Sequence, residues 1–241
     1  ITLTIALLCI VTFAFSQEKY TIYENIYIKP KADTQKELNK NMQEHNKKFH
    51  PEGAYDSHVW AVFTGCHAGE MLLAMGPCTF SDLDNRPDSK DHNEDWEQNV
   101  APLIEDMSEV EYWRLDDKLS YSPEGSTPGS KVLWTMYDIK PFQEYRFKEL
   151  VEKVVKVYRE KELDRNFNVY WNQFDTGKGR DVCIERFFDK WAYFDQDRKF
   201  ISQYEEVHGE GSWNKAMREY EDVVVSSQDE LAEFLKDMSG E

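Results

Sequence analysis

Phe63-Thr64-Gly65-Cys66-His67-Ala68-Gly69-Glu70-Met71-Leu72 and Asp175-Thr176-Gly177-Lys178-Gly179-Arg180-Asp181-Val182-Cys183-Ile184 are the two stretches whose reading decides the fold. Each is a Thr-Gly turn between two apolar runs, the first of which carries a Trp. The echo extends in both directions. Upstream, Tyr27-Ile28-Lys29-Pro30 matches Tyr137-Asp138-Ile139-Lys140-Pro141. Downstream, Asp82-Leu83-Asp84 matches Asp195-Gln196-Asp197, and Asp95-Trp96-Glu97 matches Ser212-Trp213-Asn214. The offsets climb slowly from about 111 to about 117 residues, as two copies of one unit with small loop insertions require.

Each copy reads strand, helix, strand, strand, helix, then a final strand. In the first copy, strands are expected at 24–30, 58–63, 70–75 and 112–121. Thr34-Gln35-Lys36-Glu37 has the form of a capping box. Leu38, Met42, His45 and Phe49 then recur at helical spacing. Trp96, Val100, Leu103, Ile104 and Met107 mark a second helix. The counterparts are strands at 131–139, 166–174 and 182–188, a helix with Phe147, Leu150, Val151, Val154, Val155 and Tyr158 on one face, and a helix at Trp213, Met217 and Tyr220. Residues 222–238 read two ways. Val223-Val224-Val225 suits a strand, whereas Ser227 to Glu230 is a capping box for a terminal helix. Between the copies, residues 122–130 are nearly all turn formers. The expected organisation is an export segment at 1–16, repeats at 24–121 and 131–241, and a linker at 122–130.

Each copy is a split βαβ unit, the ferredoxin-like arrangement. Helices cover one face of such a sheet, and the large residues on the other face must pack on something. On this element order and repetition, the chain from Glu24 to about Ser227 resembles the dimeric α+β barrel superfamily, with tandem repeats in place of two subunits. The fold implied is α+β, with two ferredoxin-like βαββαβ repeats whose sheets face each other as a pseudo-dimer. The superfamily includes heme-degrading monooxygenases, chlorite-dismutase-like heme proteins, and small isomerases and cyclases. The resemblance implies a pocket for a small, often aromatic, ligand and admits heme as a cofactor.

Composition narrows the partners. The formal net charge of −17 argues against nucleic acid and anionic lipid. Ile1 to Ser16 is uncharged and apolar and ends in Ala14-Phe15-Ser16, which reads as a signal peptide too short to span a bilayer. An exported protein, periplasmic or extracellular, free of membrane insertion after cleavage and able to form a homo-oligomer, is the expectation. Past that segment stand Cys66, Cys78 and Cys183, an odd number, which read as small buried thiols rather than a disulfide framework.

No catalytic motif stands out, so the candidate site comes from strand periodicity. His58 and Trp60 share one strand face, and Tyr170 and Asn172 share one in the second copy. With Trp134 they are the expected lining of a pocket between the facing sheets. A core role is the blander reading for the Trp residues, and a satisfied hydrogen bond for His58 and Asn172. His45 and His50 are five apart, which on a helix places them on different faces. No His pair has the i, i+4 spacing of a helical metal site, and no metal site is expected. If heme binds, His58 or His208 is the candidate axial ligand. Asp82 to Pro87 begins like a calcium loop, but Arg86 stands at a ligand position and Pro87 at the turn. Glu185-Arg186 reads as an ion pair within the sheet. Three functions compete: a small-molecule binding protein, a small barrel enzyme of monooxygenase, isomerase or heme-dependent type, and an envelope interaction module.

Overall fold

The computed structural model describes residues 20–87 and 89–240. The expected export segment lies outside them. Nine strands build the sheet: β1 (Ile22–Pro30), β2 (Ser57–Val62), β3 (Met71–Cys78), β4 (Ile104–Met107), β5 (Glu111–Leu115), β6 (Lys131–Ile139), β7 (Asn168–Asn172), β8 (Val182–Phe188) and β9 (Val224–Phe234). Their order is β3-β2-β9-β6-β8-β7-β5-β1-β4, and β1 also pairs with β3. That last pairing closes eight strands into a barrel, with β4 alongside the end of β1. A closed barrel leaves none of these eight strands with a free edge. The first half contributes β5-β1-β3-β2 and the second β9-β6-β8-β7, so both halves have the ferredoxin-like order 4-1-3-2. They join through β2 with β9 and β5 with β7, both antiparallel.

Alternation along the strands divides the core. Val132, Trp134 and Met136 face inward with Tyr27, Leu72, Trp113 and Cys183. The opposite faces meet helices. Helix α1 (Gln35–Phe49) buries Leu38 and Met42 against Ile28, Val59 and Met71 of the sheet. Helix α4 (Glu144–Glu160) buries Phe147, Leu150, Val151, Val155 and Tyr158 at the expected spacing. Helices α5 (Phe200–His208) and α6 (Ser212–Val223) pack beside α4. No helix among the described residues is long and apolar enough to cross a membrane.

Several expectations change. The second helix of the first half is short: α3 (Lys90–Asp95) runs into a π turn and then a 3-10 turn that ends at Leu103. Pro102 has no amide hydrogen to extend a helical ladder. Ile104 and Met107 instead belong to β4, paired with β1. The strand expected at 112–121 stops at Leu115, and Tyr121 keeps only an isolated bridge to Phe167. Residues 80–84 form a short helix, α2, with a Thr79/Asp82 capping box. The ambiguous end resolves as strand through Phe234, followed by a 3-10 turn. The Ser227 capping box loses because residues 226–233 pair continuously with β6, which gives their backbone groups strand partners. Cys78 and Cys183 are buried free thiols as expected, but Cys66 is exposed on the hairpin turn.

Register corrects part of the repeat. Trp60 pairs with Phe234 on β9, and Tyr170 pairs with Leu115 on β5. His58 and Trp60 are therefore the counterparts of Asn168 and Tyr170, whereas Asn172 corresponds to Val62. Likewise Tyr137, opposite Val182, corresponds to Ile28, opposite Met71. The counterpart of Tyr27 is Met136. The extra residue in Tyr137-Asp138-Ile139-Lys140-Pro141 turns the echoed Tyr to the other face, because side chains alternate with period two.

Candidate functional site

A cavity of about 690 Å³ lies within the barrel, lined by inward residues of both halves. Both hairpin turns, 63–70 and 173–181, stand at one end of the barrel, as the strand directions require. The opposite end carries Pro128, Gly129 and Ser130 of the interhalf segment, together with Asp189. The walls are largely aromatic. Trp60 meets Trp134 edge-on at 5.6 Å and Phe234 at 4.9 Å, and Tyr23 meets Tyr170 edge-on at 5.9 Å. Offset and edge-to-face pairs of this kind hold rings in fixed orientations.

Two polar features interrupt the apolar wall. Glu185 on β8 is buried. Its Oε1 accepts from Trp134 Nε1 at 3.0 Å; its Oε2 accepts from Asn168 Nδ2 at 2.9 Å and the Tyr170 hydroxyl at 3.1 Å. Burial raises the Glu185 pKa above the ordinary carboxylate value and outweighs the three donors. Burial, reinforced by the Glu185 charge, pushes Tyr23 up to about 12. The second feature is Asn25 on β1, whose Oδ1 is buried and meets no donor. A buried acceptor without a partner costs roughly 1–3 kcal/mol, which a ligand donor would recover.

At the hairpin end a charged network underlies the cavity. Glu230 of β9 is fully buried and accepts from the Tyr27 hydroxyl at 2.7 Å and His67 Nδ1 at 2.6 Å. Arg180 donates to Glu111 through Nε at 2.9 Å and to the Tyr27 oxygen at 3.0 Å. Its Nη1 stands 3.7 Å from Glu230. His67 stacks on Tyr27 at 3.6 Å. Burial opposes ionisation of Glu230, but the His67 hydrogen bond, the Arg180 charge and the Tyr27 hydroxyl outweigh it and lower its pKa. Gly65 permits the close approach: at φ +84° it lies so near β9 that a Cβ would meet Glu230 Cγ at 2.7 Å.

Of the residues expected to form a pocket, His58, Trp60, Trp134 and Tyr170 line this cavity. Asn172 does not. It sits one alternation nearer the hairpin turn, where its Nδ2 donates to the Arg180 carbonyl at 3.1 Å. Its place on the wall is taken by Asn168. The expected Glu185–Arg186 ion pair is absent because neighbours on a strand point to opposite faces. Arg186 faces the helix side and donates to Thr135 Oγ1. Glu185, Asn25, Tyr27, Arg180, Glu111 and Glu230 were not expected as site residues. An acidic residue at an inward strand position was the available signal for Glu185, Glu111 and Glu230.

No imidazole on the cavity wall offers its Nε2 to heme. His58 is the one imidazole on the cavity wall. Its Nε2 faces the Gly76 carbonyl at 3.2 Å and the Asp56 carboxylate at 3.6 Å, so that nitrogen carries the proton and only Nδ1 keeps a lone pair. The space between the second half's sheet and its helices is about 190 Å³, lined by Phe147, Tyr158, Trp213 and other side chains without a His among them. His208 lies outside it, on the Lys153 carbonyl at 2.9 Å.

No protein-family model matches the chain, and no curated protein matches it in sequence. Solved structures do resemble it. One is described as a candidate monooxygenase from Fusobacterium nucleatum, with a TM-score of 0.57 and 10% identity over 91% of this chain and 94% of that one. An anthrone oxidase-like protein superposes with a TM-score of 0.57 and 14% identity, covering 91% and 92%. A protein described as a candidate chlorite dismutase gives 0.51 and 12% identity, covering 90% and 96%. At these identities the likeness concerns architecture: the chain has the dimeric α+β barrel fold.

Proposed function

We propose that the chain binds a small hydroxylated aromatic molecule inside the barrel and moves a proton on it through Glu185. The observation that carries this reading is a buried carboxyl with a raised pKa on the wall of an aromatic cavity. Perturbed acids in clefts are how folds obtain general acids and bases near neutral pH. The rings of Trp60, Trp134 and Phe234 supply apolar contact to a planar ligand. Asn25 Oδ1 supplies an acceptor for a hydroxyl. Glu185 takes a proton from the ligand as carboxylate or returns one as the acid, while Trp134, Asn168 and Tyr170 fix its orientation. Monooxygenase-named neighbours agree with an enzyme of this barrel class. In this proposal the two repeats, 24–121 and 131–241, do within one chain what two subunits do in a dimeric barrel.

The test uses 1-naphthol against naphthalene, read by quenching of tryptophan fluorescence. Naphthol is expected to bind more tightly than naphthalene, and Asn25→Ala to erase that difference by about tenfold, the equivalent of one hydrogen bond of roughly 1.4 kcal/mol. Glu185→Gln is expected to retain binding and to remove the pH dependence of naphthol affinity. Equal binding of both probes by the native chain, or a pH dependence untouched in Glu185→Gln, overturns the reading.

A further inference from the structure

Away from the barrel, three imidazoles meet where α1 ends against α3. His45 comes from α1 just before its last turn, His50 from the residue just beyond the helix, and His92 from α3. Helical spacing puts His45 and His50 on different faces, but α1 stops at Phe49 and His50 leaves helical geometry with φ −131° and ψ 44°. Its ring thereby turns back toward His45. The ring centres lie 4.8, 5.1 and 5.4 Å apart. One ligand atom from each ring falls within 4.8 Å of the others.

Hydrogen bonding decides which nitrogens are free. His45 Nδ1 lies 2.7 Å from Asp95 Oδ2, His50 Nδ1 lies 2.9 Å from the Tyr55 carbonyl, and His92 Nδ1 lies 3.1 Å from Asn93 Oδ1. All three partners are oxygen acceptors, so each Nδ1 carries the proton and each Nε2 presents a lone pair. His50 Nε2 and His92 Nε2 stand 3.1 Å apart. Two facing lone pairs repel unless something electrophilic sits against both. His45 is 1% exposed, and its Nε2 has no partner at all. A buried imidazole nitrogen left unpaired is costly, and here it belongs to the same cluster.

We propose that His45, His50 and His92 form a binding site for a zinc-class divalent transition ion, each ligating through Nε2. Tetrahedral zinc with Zn–N bonds of about 2.0–2.1 Å holds its nitrogens about 3.3 Å apart, which matches the His50–His92 separation. The oxygen on each Nδ1 is the outer partner that fixes tautomer and ring orientation in histidine metal sites. Three imidazoles favour zinc, nickel or copper over magnesium or calcium, and leave a fourth position for water. The site is separate from the proposed barrel function, and neither depends on the other.

The Cys66–His67–Glu230 group is the competing cluster. Its His67 nitrogen is already 2.6 Å from Glu230, a hydrogen-bond distance shorter than the spacing of two zinc ligands. Burial also raises the Cys66 pKa, which disfavours the thiolate that binds metal.

The test is zinc titration of the full chain by calorimetry. One ion per chain is expected. His50→Gln and His92→Gln, at half-buried positions, are each expected to weaken binding by about 100-fold or more, since even outer partners of such sites are worth roughly 10–100-fold. His67→Gln is expected to leave it unchanged. X-ray absorption of the zinc-loaded native chain needs no variant to fold, and should show nitrogen and oxygen neighbours with histidine ring scattering and no sulfur. A native chain that takes up no zinc, affinity unchanged in both His50→Gln and His92→Gln, affinity lost in His67→Gln, or a sulfur neighbour overturns the proposal.

Discussion

The two hairpin turns occupy equivalent places in the barrel and reach the same kind of partner, yet they deliver different chemistry. Register makes Glu111 on β5 the counterpart of Glu230 on β9, each two residues before the position paired with Asn172 or Val62. The 63–70 turn brings His67 and Cys66 onto Glu230, and the 173–181 turn brings Arg180 onto Glu111. Both partnerships cross from one half to the other, and both end on the Tyr27 oxygen. Gly179, like Gly65, allows the close fit, because a Cβ there would meet Asp138 at 2.8 Å. One half thus supplies a permanent, almost fully buried cation; the other supplies a titratable ring on a partly exposed turn. Equivalent positions in the two halves carry one asymmetric network, with Tyr27 in the middle and only Met136 as its counterpart.

The largest effect should follow removal of the permanent cation. Arg180→Met leaves Glu111 buried without its countercharge and Glu230 with His67 and Tyr27 alone. Breaking one partner of a buried ion pair typically costs about 3–5 kcal/mol. Urea denaturation should show a loss in that range, and a loss below about 1 kcal/mol would break the comparison. His67→Gln should cost less, roughly 1.5–3 kcal/mol, because it removes one charge-assisted hydrogen bond from a partly exposed turn. Reversal of the order of these two variants would place the anchor of the network on the first turn.

Acid should act on the same network. Glu230 has a pKa below the ordinary 4.5, so the fold favours its ionised form. The corresponding stability is present above the unfolded value and is lost as pH falls through the lower folded value. Glu230→Gln should therefore be less stable than the native chain at pH 7. The difference should shrink as pH falls below about 4.5, when thermal midpoints of the two are followed together. A constant difference down to pH 3 would mean that Glu230 is not held ionised.

Much of this organisation is legible in the chain, and the failures have physical causes. The turn echo fixes two like units, because a Thr-Gly turn between apolar runs needs no tertiary context. The site is harder. The offsets rise to about 117, and one more step to 119 connects Glu111 with Glu230, so that pair was within reach of the repeat itself. Alternation puts Asn168 and Asn172 on one face but gives no height along the barrel. Height depends on which residues pair across β5 and β7. Arg180 lies in a polar turn and looks solvated until the turn is folded over β5. His92 joins His45 and His50 only because α1 ends at Phe49 and α3 packs on it, a meeting that no spacing rule contains.

The smallest predicted effect contrasts the halves inside the cavity. Ala74 pairs with Asn25 and Glu185 pairs with Trp134, so the second half places a carboxyl where the first half has a methyl group. The Glu185 pKa is raised because burial outweighs three hydrogen bonds. The folded chain therefore binds this proton more tightly than the unfolded chain. The sign is opposite to that of Glu230: the contribution is most favourable below about 4.5 and declines as pH rises toward the higher folded value. Glu185→Gln keeps the shape and removes the titration. Its thermal midpoint relative to the native chain should rise as pH climbs above about 4.5 and level off once pH exceeds the raised folded value. The shift should be a few degrees, since about 1 kcal/mol moves a domain of this size by roughly 2–4 °C. A flat difference across that range would mean that Glu185 ionises as easily inside the barrel as in water. The proton transfer assigned to Glu185 would then fail.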